Sequence, residues 1–303
     1  MPEGDSIFRA ARTLHRALAG WRVTRFESAL PALNRIDQDR PIAGRTIASV
    51  SARGKHLLMT FSGDLILRTH MRMSGSWHIY RPGERWQRPA RDMRIVIETA
   101  RFVAVGFTVP VAEFLTGREL ARHKELGALG PDLLARPGRA ESVGPLGPSD
   151  SEGPLGPSDS EGPSFDVAEA LRRIRTQERT AIADVLLNQR VVAGIGNIFK
   201  SEVLFLTRVY PFAPTNELSD DTLRLIVTEA RTQLRANVLK ASQTLSRAVG
   251  IRTTRSLDPS AKLWVYGRAG KPCRKCGTKI LARKTGVDAR LTYWCPGCQT
   301  SQL

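Results

Sequence analysis

The chain has 303 residues, a length that favours two domains with separate hydrophobic cores and excludes a single small disulfide scaffold. Its 46 Lys and Arg against 29 Asp and Glu give a net charge of +17, so a polyanion, and nucleic acid first, is the expected partner. No window approaches 18 consecutive apolar residues, and the N-terminus lacks the basic-then-apolar order of a secretion signal. We therefore expect a soluble, cytosolic protein that does not enter a membrane.

The first part of the chain predicts one helix followed by short strands. Residues 5–19 carry apolar side chains at helical spacing behind a capping residue. From 21 to about 115, short apolar and β-branched runs are separated by turns that contain glycine, which predicts an antiparallel sandwich or barrel. These runs are TIASVSA, HLLMTFSG, LILRTH, RIVIET and FVAVGF. A further helix is predicted over 119–135, ending at Pro137.

A low-complexity segment follows. The nonapeptide GPLGPSDSE occurs at 144–152 and again at 153–161. Leu146 and Leu155 are its only bulky apolar residues, so the segment cannot bury enough surface to become ordered. We expect residues 138–163 to form a disordered, acidic linker that stays clear of a polyanion.

The second part of the chain predicts mostly helix and then a cationic module. The run SFDVAEALRRIRTQERTAIADVLLNQ and the stretch 217–249 have helical apolar spacing. Between them, GIGN at 194–197 predicts a tight turn where Asn197 and exposed backbone N–H groups can meet a phosphate, although many such turns bind nothing. The final segment, 262–303, carries nine basic residues against Asp288 alone.

All four cysteines lie in this cationic module, as Cys273-x2-Cys276 and Cys295-x2-Cys298. Two thiolate pairs at this separation can close one tetrahedral zinc site, with the intervening residues forming a hairpin. Four thiolates leave no open coordination position, so the predicted zinc is structural rather than catalytic. A redox pair is the alternative.

The chain opens Met1-Pro2-Glu3-Gly4. Removal of Met1 would expose the secondary amine of Pro2. An α-amino group has a pKa of about 8, so roughly a tenth of it is neutral at pH 7 and can act as a Schiff-base nucleophile. An ordinary N-terminus before a helix is the alternative interpretation.

Six motifs occur in one order: MPEG at 1–4, GKHLL at 54–58, HMRMSG at 70–75, GIGNIFKSEVLF at 194–205, VYGRAGKPCRKCG at 265–277 and RLTYWCPGCQ at 290–299. This order resembles the formamidopyrimidine-DNA glycosylase and endonuclease VIII family over nearly the whole chain. The resemblance implies an α+β fold with an N-terminal antiparallel β-sandwich, a helix-two-turn-helix bundle and a zinc finger, with DNA in the cleft between the two domains. We place the sandwich at 1–137, the linker at 138–163, the helical domain at 164–261 and the finger at 262–303.

The resemblance also implies catalytic roles. Pro2 is the implied nucleophile that attacks C1′ of the damaged nucleotide, and Glu3 the adjacent acid and base that opens the sugar ring. Without the family, Glu3 would be a carboxylate favoured by the start of its own helix. Lys55, on the turn of GKHLL, is the implied phosphate-binding and catalytic-support lysine, where the alternative is a solvated turn charge.

Four further residues match positions that bind DNA or support the site in the family. Asn197 and Arg290 are implied to hold phosphates. Met73 is implied to fill the space left by an everted nucleotide, although a Met beside a strand is more often part of the core. For Glu202 a catalytic role and a turn-stabilising role both remain open.

The predicted function is a bifunctional DNA glycosylase and AP lyase of base excision repair, acting as a monomer on damaged DNA. One structural zinc and no redox or nucleotide cofactor are expected. The purine-specific branch carries a DPRRFG loop, but residues 108–113 read TVPVAE here, and the opening MPEG also favours the endonuclease VIII branch. We therefore expect oxidised pyrimidines as substrates. A purine glycosylase and a non-catalytic damage-binding paralogue are the alternatives; the presence of Pro2, Glu3 and Lys55 argues against the paralogue.

Overall fold

The computed structural model describes residues 2–135, 165–240, 250–256 and 258–300. It divides into two compact units. The first contains Pro2 and residues 6–128, and the second contains residues 3–5, 129–135 and the described residues from 165 onward. The predicted linker at 138–163 and the end of the helix predicted over 217–249 lie outside the described residues.

The first unit is a sandwich of two four-stranded antiparallel sheets, with most of helix α1 (Gly4–Leu18) packed in the same core. One sheet has the order β1 (Val23–Ser28), β6 (Met93–Thr99), β7 (Val103–Phe107) and β5 (Ser76–Tyr80). The other has the order β2 (Ile47–Arg53), β3 (His56–Phe61), β4 (Leu65–His70) and β8 (Val111–Leu115). The five predicted apolar runs all fall on strands, and the two separate sheets decide between a sandwich and a barrel.

Two details of the first unit differ from the sequence prediction. Helix α2 (Pro31–Asp39) was not predicted, because only one of its nine residues, Leu33, is buried and its apolar pattern is weak. The single helix expected over 119–135 is wrong. Two short helices replace it, α3 (Gly117–Ala121) with a capping box and α4 (Lys124–Gly127) capped by a histidine.

The chain beyond α4 is irregular, and it packs tightly on another backbone segment. Gly130 donates its N–H to the carbonyl of Gln189, and a Cβ at Gly130 would lie 2.2 Å from the carbonyl oxygen of Val191. This contact requires glycine at position 130.

The second unit is helical, with one small hairpin. It contains α5 (Val167–Arg175), α6 (Ile182–Leu187), α7 (Asn197–Leu206), α8 (Asp220–Lys240), β9 (Leu281–Thr285) and β10 (Arg290–Trp294). Apolar side chains of the four helices form one core. The expected GIGN turn lies between α6 and α7, and the hairpin predicted between the cysteine pairs is present. Within the described parts of the chain, none of the helices combines the length and the apolar character needed to cross a membrane.

A polar cluster surrounds a buried arginine of the sheet that contains β3 and β4. Arg68 on β4 is 3% exposed and donates to Glu113, to Glu125 and to Nδ1 of His56. His56 pairs with His70 across the two strands. Burial of the ring, and then the charge of Arg68, lower the pKa of His56 from 6.5 to about 3.

The neutral His56 makes stability depend on pH. Between about pH 6.5 and 3 the unfolded chain binds a proton at this position that the folded chain does not. The free energy of unfolding is therefore expected to fall with decreasing pH, by up to about 1.4 kcal/mol per pH unit for this group. Denaturant titrations of the wild type and of His56→Gln between pH 4 and 7 should give a smaller slope for the variant, and equal slopes would contradict this account.

Candidate functional site

The centre of the candidate site is the N-terminus of α7, which surrounds the carboxylate of Glu3. Glu3 is fully buried and accepts the backbone N–H groups of Gly196 at 3.0 Å, Ile198 at 2.7 Å and Phe199 at 3.2 Å. The first N–H groups of a helix have no partner within it and carry partial positive charge. Because α7 has no side-chain cap from Gly196, Glu3 is its cap.

The glycines of GIGN make this contact possible. Gly194 has φ +110°, a conformation that side chains disfavour, and its carbonyl accepts the N–H of Gly4 at 2.9 Å. A Cβ at Gly196 would lie 2.3 Å from Cδ of Glu3. The tight turn predicted from these glycines is present, and its N–H groups hold a carboxylate of this chain.

Asn197, the first residue of α7, is 6% exposed. Burial raises the pKa of Tyr266, and the neighbouring side chain of Asn197 opposes that rise. The Oδ1 atom of Asn197 is buried without a hydrogen-bond partner among the described residues. Tyr266 was not singled out from the sequence, although it lies in the motif VYGRAGKPCRKCG.

Glu202 holds the segment that carries Tyr266. It is fully buried and accepts the hydroxyl of Thr253 and the backbone N–H groups of Trp264, Val265 and Tyr266, each of the three at 2.8 Å. Burial raises its pKa, while the four hydrogen bonds oppose the rise. Of the two roles left open for Glu202 by the sequence, these contacts are those expected of the turn-stabilising one.

Arg290 begins β10, where it is half-buried, and its Nη2 lies 3.7 Å from Oδ2 of Asp288. Two residues further along the strand, Thr292 accepts a hydrogen bond of 2.8 Å from Nζ of Lys200 on α7. Lys200 has no exposed surface, and its pKa is lowered to about 8, mainly by burial. Sequence reasoning missed Lys200, because its burial and its contact with the hairpin depend on a segment 92 residues further along the chain.

The other predicted site residues lie in the first unit. Pro2 is half-buried and directly precedes Glu3. Lys55 lies on the turn between β2 and β3, and its charge contributes, after burial, to a lowered pKa of His70. Met73 lies in the turn after β4 and is 58% exposed, which excludes the core alternative.

The segment that stands in place of the DPRRFG loop is a three-residue connection, 108–110, between β7 and β8. Val109 is fully buried within it, and Thr108 has φ +48°. Glu113, on β8, pairs with Arg68. The connection therefore supplies no arginine or aromatic side chain.

The four cysteines form one cluster, in which all Sγ atoms lie within 4.8 Å of one another. The Sγ separations are 3.9 Å for Cys273 and Cys298, 3.4 Å for Cys276 and Cys295, and 3.5 Å for Cys276 and Cys298. Tetrahedral zinc with Zn–S bonds of about 2.3 Å requires separations of about 3.8 Å. The donor set therefore fits one structural zinc ion, which would cross-link the two turns.

Three family profiles match the chain in order. They are the formamidopyrimidine-DNA glycosylase N-terminal domain over residues 1–110, the formamidopyrimidine-DNA glycosylase H2TH domain over 155–248, and the zinc finger found in FPG and IleRS over 270–300. Together with the sandwich, the capped α7 and the cysteine cluster, they define a DNA glycosylase of the zinc-finger type.

The chain belongs to the formamidopyrimidine-DNA glycosylase and endonuclease 8 family. It is 38% identical over 302 residues to a probable endonuclease 8 2 of Streptomyces coelicolor, covering 99% of this chain and 94% of that protein. It is 34% identical to a DNA-(apurinic or apyrimidinic site) lyase Nei2 of Mycolicibacterium smegmatis, covering 99% and 100%. The family expected from the six motifs is confirmed.

Among solved structures, Lactococcus lactis Fpg in complex with DNA that contains an abasic site has a TM-score of 0.76 to this chain. The two chains are 22% identical, and the match covers 99% of this chain and 100% of that one. At this identity the comparison shows a common fold, which confirms the expected fold class.

The cysteine cluster predicts one zinc ion per chain. Cys276→Ser should lose the metal, because three thiolates and a hydroxyl form a much weaker zinc site. Metal analysis of the purified proteins tests this, with Lys279→Ser as the control because Lys279 is exposed in the same region. A stoichiometric zinc content in Cys276→Ser would contradict the assignment.

The Glu3 contact predicts that Gly196→Ala is strongly destabilising. The added methyl would displace the carboxylate from three N–H groups, at an expected cost of about 2–4 kcal/mol. Backbone strain is not the cause, since φ is −120° at Gly196. The matched control is Gly127→Ala, where a Cβ meets nothing within 4 Å. Denaturant titration should separate the two variants, and equal stabilities would refute the packing argument.

Proposed function

We propose that this protein is a bifunctional DNA glycosylase and AP lyase that excises oxidised pyrimidines, with the nitrogen of Pro2 as its nucleophile. The observation that carries the proposal is the position of Glu3, a buried carboxylate fixed by three N–H groups directly after Pro2. Relatives named endonuclease 8 and DNA lyase, at 32–38% identity over nearly the whole chain, support this class of reaction.

The proposed chemistry begins after Met1 has been removed. The lone pair of the Pro2 nitrogen forms a bond to C1′, while the bond from C1′ to the base breaks and the base leaves with that electron pair. The Pro2 nitrogen, now an ammonium, gives up its N–H proton, and the departing base takes up one proton. Glu3 transfers the proton that opens the sugar ring, which leaves an iminium ion on Pro2. Loss of a C2′ proton then expels the 3′ phosphate and cuts the strand.

DNA is held in this proposal by residues of both units. Lys55, Asn197 and Arg290 bind phosphates, and Met73 fills the space of the everted nucleotide. The net charge of +17 supports a polyanionic substrate. We further propose that the protein works as a monomer in the bacterial cytoplasm, with the domain boundaries stated above.

The preference for pyrimidines rests on the connection between β7 and β8. A loop that inserts Arg and Phe beside an everted purine has no counterpart in residues 108–110, whose central Val109 is buried. Without inserted Arg and Phe side chains, the enzyme has fewer groups that contact the opposite strand. We expect this to favour the smaller lesions, the oxidised pyrimidines.

Borohydride trapping tests whether the nitrogen of Pro2 is the nucleophile. The wild type should form a covalent adduct with DNA that contains an abasic site or an oxidised pyrimidine, and peptide mapping should place the adduct on residue 2. An N-terminal extension that is not cleaved should abolish trapping, because an acylated proline nitrogen has no basic lone pair. Binding of the extended protein to DNA should persist.

Other outcomes of the same experiment would contradict the proposal. An adduct on Lys55, or full incision by the extended protein, would move the nucleophile to a lysine. Equal trapping on DNA with oxidised pyrimidines and with 8-oxoguanine would overturn the pyrimidine preference and leave the lyase assignment intact.

A further inference from the structure

Lys200 is a buried cation that the proposed chemistry does not use. Its side chain has no exposed surface, and its Nζ donates to Oγ1 of Thr292 at 2.8 Å and to the carbonyl of Leu291 at 3.4 Å. Removing an ammonium group from water is costly unless it is well paired, so a buried lysine is a poor way to stabilise a fold. An unbranched apolar side chain could fill the same space.

The charges around Lys200 come from three elements. Asp184 on α6 and Glu3 in the N-terminal segment are the negative groups that act on it, and Arg290 on β10 is the positive one. The Oδ1 atom of Asp184 is buried without a hydrogen-bond partner in the described parts of the chain. This atom faces the hairpin turn, since a Cβ at Gly286 would lie 2.9 Å from it.

The hydrogen bond from Lys200 to Thr292 connects Lys200 to both strands of the hairpin. Oγ1 of Thr292 also lies 3.0 Å from Oγ1 of Thr285 on β9. Residues two apart on a strand share a face, so Arg290 lies on the same face of β10 as Thr292. A bond that fixes Thr292 therefore fixes the face that carries Arg290.

We propose that Lys200 is a positioning residue for DNA binding: its bond to Thr292 sets the place of Arg290 relative to the N-terminus of α7, where Glu3 and Asn197 lie. The inference rests on the proposed function, because Arg290 is its proposed phosphate ligand. Lys200 itself has no exposed surface and acts through the hairpin.

The hydrogen bond from Lys200 to Thr292, which we call the tether, also makes DNA binding depend on pH. The pKa of Lys200 is lowered to about 8, mainly by burial; Asp184 and Glu3 oppose the change, and the smaller effect of Arg290 adds to it. The charged tether is complete below that pH and weakens as pH rises through it, because a neutral amine forms a weaker hydrogen bond than an ammonium. The affinity for DNA should fall over the same interval.

The test measures binding to a duplex that contains a tetrahydrofuran abasic-site analogue, which cannot react with Pro2. Lys200→Met should bind at least about tenfold more weakly than the wild type, the loss expected of one charge-assisted hydrogen bond. Thr292→Val, which removes the acceptor and preserves the volume, should weaken binding in the same way. The control Lys124→Met removes an exposed lysine of α4 and should bind within about twofold of the wild type.

A double-mutant cycle separates positioning from general destabilisation. If Lys200 acts through Arg290, adding Lys200→Met to Arg290→Ala should cause little further loss of affinity, whereas independent effects would add. Between pH 7 and 9.5 the wild type should lose affinity, and Lys200→Arg, which keeps its charge, should lose less. Additive losses, or equal pH profiles for these two proteins, would overturn the proposal.

Hydrogen exchange of the free protein tests the tether without DNA. Lys200→Met, with its zinc content unchanged, should exchange the amides of β10 faster and those of α8 at the wild-type rate. Unchanged exchange in β10 would refute the tether even if the protein cleaves abasic DNA. A wild type that neither binds nor cleaves such DNA, but shows the faster exchange in the variant, would instead refute the proposed function.

Discussion

The contact on which the second unit depends is the capping of α7 by Glu3. A helix of ten residues begins with several N–H groups that need acceptors, and in this protein one carboxylate accepts three of them. The contact brings the third residue of the chain so close to Gly196 that a Cβ there would lie 2.3 Å from Cδ of Glu3. The same interaction therefore completes a helix and places the residue next to the proposed nucleophile.

Helix α7 organises the rest of the unit from its buried side chains. Asn197 meets Tyr266 at the first turn, Lys200 holds β10, and Glu202 accepts the backbone of residues 264–266. Phe205, near the end of the helix, packs in the apolar cluster that contains Cys273 and Cys295. Each of these polar side chains is paired with a segment far away in sequence, so one helix aligns the N-terminus, the 264–266 segment and the finger.

Much of this arrangement could be predicted from the sequence, because local chemistry dictates it. Short apolar and β-branched runs between turns that contain glycine identified β2, β3 and β4, and the spacing of the cysteines identified the hairpin and its metal. Contacts between distant segments could not be predicted. The backbone after α4 depends on the contact of Gly130 with Val191, and the carboxylate next to the glycines of GIGN belongs to Glu3, 193 positions away from Gly196.

The cap of α7 also constrains the order in which the protein can fold during its synthesis. Glu3 and Gly196 are separated by 193 positions, so the carboxylate emerges from the ribosome long before the helix that it completes. At about 5–20 residues per second, the interval is roughly 10–40 s. During that time Glu3 cannot make these bonds, and removal of Met1 by an aminopeptidase in this interval would not have to break them.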